Sequence, residues 1–209
     1  MKSVLITIEG IDGTGKSTLV ENLSNLLSDI SPIFTREPGS TWIGEAVRRG
    51  IAEDIDPVAE ALLFTADHAA HLEAVIRPGL KEGRIIISDR YSDSRYAYQA
   101  STLKGILPDP MKWMKKVHEG WTIVPDLTFL LVIPVDKAIE RLNNNRTHQE
   151  HFECMSTLEE VKNNYLLLAE EDPERFILVD AALNPAEISE FVAGEIRKRA
   201  ELKNSPKKK

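Results

Sequence analysis

The chain has 209 residues, 42% hydrophobic and 28% charged, which fits one globular domain with enough apolar side chains for a core. Acidic residues outnumber basic ones 33 to 26, for a net charge of -7. That balance argues against nucleic-acid or membrane binding, since both partners are polyanions. A site for an anionic ligand would need its cations gathered in one cleft.

The single cysteine, Cys154, leaves no intramolecular disulfide and points to a reducing, cytoplasmic compartment. The segment from Met1 to Ile8 lacks the basic-then-apolar layout of a signal peptide. No stretch approaches the ~20 apolar residues that span a bilayer.

In chain order, Val4–Ile8 is a short β-branched run and reads as a buried strand. Gly10–Gly15 is a loop. From Lys16 a helix is expected, with Leu19, Leu23, Leu26 and Leu27 on one face. Pro32–Thr35 suggests a second strand, ended by Glu37-Pro38-Gly39. Asp56-Pro57 is a helix start, a capping carboxylate followed by proline in the first turn. The helix it opens carries Leu62, Leu63, Phe64, Ala69, Leu72, Val75 and Ile76 and is expected to stop near Pro78-Gly79.

Further strands are expected at Ile85–Ile87, at Phe129–Ile133 and at Phe176–Val179, with a last helix from Pro185 to about Ala200. Short apolar strands alternating with helices predict a parallel sheet covered on both faces. Residues 1–200 read as one domain. Residues 143–153 form its one long polar stretch, and 201–209 a basic, solvated tail.

Gly10-Ile11-Asp12-Gly13-Thr14-Gly15-Lys16-Ser17-Thr18 matches the phosphate-binding P-loop pattern. The glycines let successive backbone N–H groups curl around a phosphate. Lys16 reaches the β- and γ-phosphates, the Ser17 hydroxyl binds Mg²⁺, and the following helix points its positive end at the anion. A buried strand before the loop and an amphipathic helix after it are the context this motif requires. Together they indicate nucleoside triphosphate binding.

Asp89 ends a buried strand, where an acid can hold Mg²⁺ through a water. Arg90 follows it, and Arg36 should end the second strand at the same sheet edge. Guanidinium groups there suit a second phosphate.

The arrangement resembles thymidylate kinase, in the nucleoside monophosphate kinase branch of the P-loop kinases, over essentially the whole chain up to the tail. The motifs that carry the resemblance are the P-loop at 10–18, Thr-Arg-Glu-Pro-Gly (35–39), Leu-Leu-Phe-Thr-Ala-Asp-His (62–68), Asp-Arg-Tyr (89–91), Ser-Arg-Tyr-Ala-Tyr-Gln (94–99) and Pro-Asp-Leu-Thr (125–128).

The resemblance implies a P-loop three-layer sandwich, a five-stranded parallel sheet with helices on both faces. It implies transfer of the ATP γ-phosphoryl group to dTMP with Mg²⁺, in a homodimer built through helices on one side of the sheet. The apolar breadth of the 57–77 helix is compatible with such a dimer. Asp12 would face the acceptor sugar or its metal. Arg36, with Glu37 beside it, and Arg90 would hold the acceptor phosphate. Phe64 would stack on thymine, Tyr98 would disfavour a ribose 2′-hydroxyl, and Ser94 and Gln99 would bond near the base.

Two positions depart from the family pattern. His68 stands where the family has an arginine on the thymine edge. In the lid over ATP, near 141–154, Glu150-His151-Phe152-Glu153 carries histidine for the expected arginine, which leaves Arg141 and Arg146 as the lid cations. Other readings are a kinase for another nucleoside monophosphate, a deoxynucleoside kinase using Glu9, Asp12 or Glu37 as base, and an ATP-dependent switch. No Asn-Lys-X-Asp guanine-reading element supports a GTPase switch.

Overall fold

The computed structural model describes residues 3–145 and 154–204. Five parallel strands form one sheet: β1 (Val4–Glu9), β2 (Ile33–Arg36), β3 (Ile85–Asp89), β4 (Leu127–Val132) and β5 (Phe176–Asp180), in the order β2-β3-β1-β4-β5. The five strands read from the sequence are all present, with ends moved by a residue or two. The helices are α1 (Lys16–Leu26), α2 (Trp42–Glu53), α3 (Pro57–His71), α4 (Arg77–Lys81), α5 (Ser92–Thr102), α6 (Pro110–His118), α7 (Val135–Asn145), α8 (Met155–Glu171) and α9 (Pro185–Asn204).

The alternation of a pleated strand sorts the apolar side chains between the two faces. Val4, Ile6 and Ile8 of β1 and Ile85 and Ile87 of β3 join a large cluster with Leu19 and Leu23 of α1 and with Ile188, Val192 and Ile196 of α9. The intervening Leu5 and Ile86 pack instead with Leu72, Ile76 and Tyr91. A sheet buried on both sides explains why its strands read as continuous apolar runs.

Helix α3 opens as its sequence predicts: Asp56 Oδ1 accepts hydrogen bonds from the N–H groups of Val58 and Ala59, both at 3.0 Å. It does not stop at Pro78. A π-helical turn over Leu72–Ile76 passes directly into α4, with Pro78 in the first turn of α4. Proline is tolerated there because the wider turn interrupts the regular α-ladder that its missing N–H would break. Helix α2 was not singled out by the sequence patterns. Thr41 caps it, its hydroxyl accepting from the Gly44 N–H at 3.2 Å.

Three histidines are buried beside Tyr91 and Trp121. His118 stacks on Trp121, and His68 meets the edge of Tyr91 at 4.6 Å between centroids. His68 and His71 both place Nδ1 on Glu37 Oε1, at 2.9 and 2.5 Å, while Arg95 pairs with Glu37 Oε2. The guanidinium already meets the Glu37 charge, so burial decides the protonation of the rings. It holds His68 down to about 3, helped by neighbouring His71, and it holds His71 and His118 down to about 4. Both rings on Glu37 are therefore neutral, with the proton on Nδ1. Nε2 accepts from Thr122 in His68 and from Thr35 in His71, both at 2.7 Å.

The three rings stay neutral in the folded chain and take up protons below about pH 6.5 when unfolded. Glu9, raised to about 7 by burial and by nearby Asp93, works the other way: the folded state keeps a proton that the unfolded chain loses above about pH 4.5. Unfolding between about pH 5 and 6 should thus take up about two protons net, and stability should fall by roughly 2–3 kcal/mol per pH unit of acidification. Denaturant unfolding across that range checks this; a flat profile would contradict it.

Candidate active site

The parallel register brings the chemistry to one sheet edge. Asp89 lies level with Ile8 of β1 on one side and with Arg36 of β2 on the other. The loop after β1, the end of β2 and the end of β3 therefore converge at the carboxyl edge, where open α/β sheets bind ligands.

The loop depends on glycine at two close approaches. Gly13 has φ 82°, and a Cβ there would lie 2.3 Å from the Ala138 carbonyl oxygen of α7. Gly10 has φ 141°, and its Cβ would lie 2.6 Å from the Leu131 carbonyl oxygen. Lys16 folds back across the loop, with Nζ donating to the Gly10 and Ile11 carbonyls at 3.0 and 2.8 Å. Burial and the charge of Arg90 lower the ammonium to about 8, while Asp12 and Asp89 oppose the shift.

Arg90 occupies the centre of the site. Its backbone has φ 67°, uncommon for a side chain of this size, and its N–H is held by the Ile8 carbonyl at 3.0 Å. Its Nη2 bonds Asp12 Oδ1 at 2.6 Å and Tyr98 Oη at 3.2 Å. Its Nη1 bonds the Gly10 carbonyl and Ser94 Oγ, both at 3.2 Å. Burial alone would push the Asp12 carboxyl up, but Arg90 and Lys16 hold it well below the usual carboxylate range. Tyr98 also donates to Asp12 Oδ2 at 2.8 Å.

Behind this pair, buried Glu9 accepts from the Tyr91 N–H at 2.8 Å, from Ser94 Oγ at 2.6 Å and from Tyr165 Oη at 3.0 Å. Ser94 thus links Glu9 to Arg90 and bears on the phosphate end of the site as well as lining the cleft.

A cleft of about 740 Å³ crosses this edge. On the β2 side its walls include Arg36, Glu37, Arg48, Phe64, Arg95, Tyr98 and Gln99; the loop residues Asp12–Thr18 and Asp89–Arg90 lie in the middle; Arg141, Leu142, Ala181, Leu183, Pro185 and Ile188 lie on the β5 side. Phe64, an aromatic on a helical stripe, lines this cleft rather than only filling the core. Arg36 is exposed, and its side chain forms no hydrogen bond or ion pair with any described residue.

Asp89 Oδ1 is buried without a hydrogen-bond partner among the described residues, and Ser17 lies exposed in the same cleft. An orphaned carboxylate oxygen and a hydroxyl fit Mg²⁺, which keeps most of its waters and needs few protein oxygens. No cluster of three His, Cys, Asp or Glu side chains that could cage a metal occurs among the described residues.

Other expected residues fall elsewhere. His68 is not on the cleft wall; it is fully buried behind Glu37, because both of its ring nitrogens are engaged. Arg141 lines the cleft and donates to the Ala181 carbonyl at 3.1 Å. Arg146, most of the expected lid and the end of the basic tail lie outside the described residues.

Sequence reasoning did not single out Arg95, Arg48 or the 181–188 wall. Arg95 sat within the quoted 94–99 motif, but nothing in its spacing distinguishes a cleft residue from a surface cation.

The thymidylate kinase family model matches residues 8–192. A protein named probable thymidylate kinase from Methanoculleus marisnigri is 60% identical over 194 residues, 93% of this chain and 94% of that one. A protein of the same name from Methanospirillum hungatei is 56% identical over 206 residues, 99% of this chain and 100% of its own. One from Methanosarcina barkeri is 50% identical over 199 residues, 94% of this chain and 97% of its own. With a family model matching residues 8–192 and relatives of 50–60% identity over nearly its full length, the chain belongs to the thymidylate kinase family.

Proposed function

We propose that this chain transfers the γ-phosphoryl group of ATP to dTMP, giving dTDP and ADP, and that the residues lining the cleft divide that task. The observation that carries the reading is a P-loop flanked on one side by Arg36, Arg90 and an aromatic platform and on the other by an apolar wall. β1 is the central strand, so the loop lies between the two halves.

ATP enters with its phosphates on the 10–18 loop and its base against Leu142, Leu183 and Ile188. The loop N–H groups and Lys16, released from the Gly10 and Ile11 carbonyls, hold the β- and γ-phosphates. Ser17 and, through water, Asp89 would hold Mg²⁺, which would supply charge neutralisation to the phosphates. Arg141 lies beside the triphosphate.

The acceptor phosphate lies between Arg36 and Arg90. Its base rests on Phe64 and its sugar against Tyr98, with Asp12, Gln99 and Glu37 in support. Two polyanions meet end to end here, so charge compensation and alignment supply the catalysis. A phosphate oxygen is already ionised and needs no base.

The three carboxylates that a deoxynucleoside kinase could use are committed elsewhere. Asp12 is held by Arg90 and Tyr98, Glu37 by Arg95 and two histidines, and Glu9 is fully buried under three donors. That favours a monophosphate acceptor over a nucleoside.

A homodimer is part of the reading. Ala59, Leu62, Ala66 and Ala69 form an exposed small-apolar stripe along α3, and Trp42 on neighbouring α2 is 77% exposed. Such a stripe suits close helix packing across a two-fold axis. The exposed thiol of Cys154 suits a reducing cytoplasm.

Lys16→Ala should lower kcat by about 10²-fold or more, while Arg36→Ala should raise the KM for dTMP at least about tenfold and leave the KM for ATP nearly unchanged. Coupled ADP release with dTMP checks both; wild-type-like dTMP kinetics in Arg36→Ala would contradict the acceptor role. In sedimentation the wild type should run as a dimer and Leu62→Glu as a folded monomer. A monomeric wild type would overturn the α3 interface.

A further inference from the structure

Arg95 is a buried guanidinium in the cleft wall that the phosphate chemistry does not use. It is 2% exposed and held at three points. Nε donates to the Phe64 carbonyl at 3.2 Å, Nη1 to the Tyr91 carbonyl at 2.7 Å, and Nη2 pairs with Glu37 Oε2. Its Cζ lies 6.0 Å from the Phe64 ring centroid, so it borders the platform on which a base would stack.

Arginine carries five N–H donors and no acceptor. Three are spent on these partners, and no described residue accepts from the other two. The Glu37 carboxylate cancels its charge, so the group is poorly suited to a phosphate, whereas Arg36, which has no acidic partner among the described residues, is well suited to one.

Glu37 is itself fixed by the Nδ1–H groups of two neutral rings, His68 and His71. The chain Thr122–His68–Glu37–Arg95 therefore sets the guanidinium's orientation. His68 stands where an arginine on the base edge was expected from α3. The structure puts the histidine behind the wall and a guanidinium from α5 in front of it.

We infer that Arg95 is the base-reading residue of this enzyme, donating from the remaining N–H of Nη1 to the 4-keto oxygen of a pyrimidine stacked on Phe64; Nη2 is sealed against Glu37. A group that only donates accepts a 4-keto pyrimidine and refuses a 4-amino one, whose N–H₂ would meet it donor to donor. The ligand class is thus 4-keto pyrimidine deoxynucleoside monophosphates, with the 4-amino counterpart excluded. His68 acts through Glu37 as a positioning residue. This rests on the acceptor site proposed above.

Arg95→Lys keeps the charge that Glu37 needs and removes the fork. It should raise the KM for dTMP about 10- to 100-fold and cut the preference for dTMP over dCMP by about tenfold or more, with kcat and the KM for ATP within about threefold of wild type. Unchanged discrimination in a variant that melts like wild type would overturn the inference.

A second measurement needs no variant. In the wild-type enzyme, 4-thio-dTMP, which keeps the N3–H and the 5-methyl and replaces only the 4-oxygen by a weakly accepting sulfur, should lose about tenfold in kcat/KM relative to dTMP. Equal use of the two would also overturn the inference. Failure of the wild type to phosphorylate dTMP at all would instead sink the acceptor-site reading itself.

Discussion

The Arg90–Asp12 pair ties the phosphate loop to the rest of the cleft. One guanidinium touches the Gly10 carbonyl, the Asp12 carboxylate, Tyr98 and Ser94, and so joins the loop to α5. Its left-handed backbone costs free energy that an ordinary strand end would not spend. The chain holds that conformation with the Ile8 carbonyl and with Glu9 behind Ser94. What results is a positive group fixed at the junction of the two halves of the cleft, where the proposed reaction would bring the two phosphates together.

Fixing the cation in advance matters because reorganisation is expensive in a partly dry site. Apart from Asp89, whose Oδ1 has no partner among the described residues, the carboxylates of the cleft and behind it have a cation or several donors already assigned. Asp12 answers Arg90, Glu37 answers Arg95, and Glu9 is satisfied by two hydroxyls and an N–H. Lys16 and Arg36 have no such acidic partner among the described residues. On the proposed reading they are the positive charges left for substrate, which would let a chain of net charge -7 bind two polyanions.

The parts of this design set by backbone chemistry were legible in the sequence. The P-loop glycines, the buried strands and the Asp56-Pro57 helix start follow from local rules, and each is where those rules put it. Less legible were features that depend on contacts between distant segments. Pro78 reads as a helix stop because the π turn before it leaves no mark in composition. His68 reads as a cleft residue because its burial is decided by Glu37 and Thr122, 31 and 54 positions away. Arg95 reads as an ordinary helix cation until β2 and α3 close around it. Arg36 and Arg90, by contrast, end strands at a sheet edge whose topology the strand order predicts.

The most direct test of this account is a crystal structure with dTMP and a non-hydrolysable ATP analogue bound together. The acceptor phosphate should lie within hydrogen-bonding distance of both the Arg36 and Arg90 guanidinium groups, in line with the γ-phosphate held by Lys16. An acceptor phosphate seated elsewhere, with either guanidinium turned to bulk solvent, would contradict it.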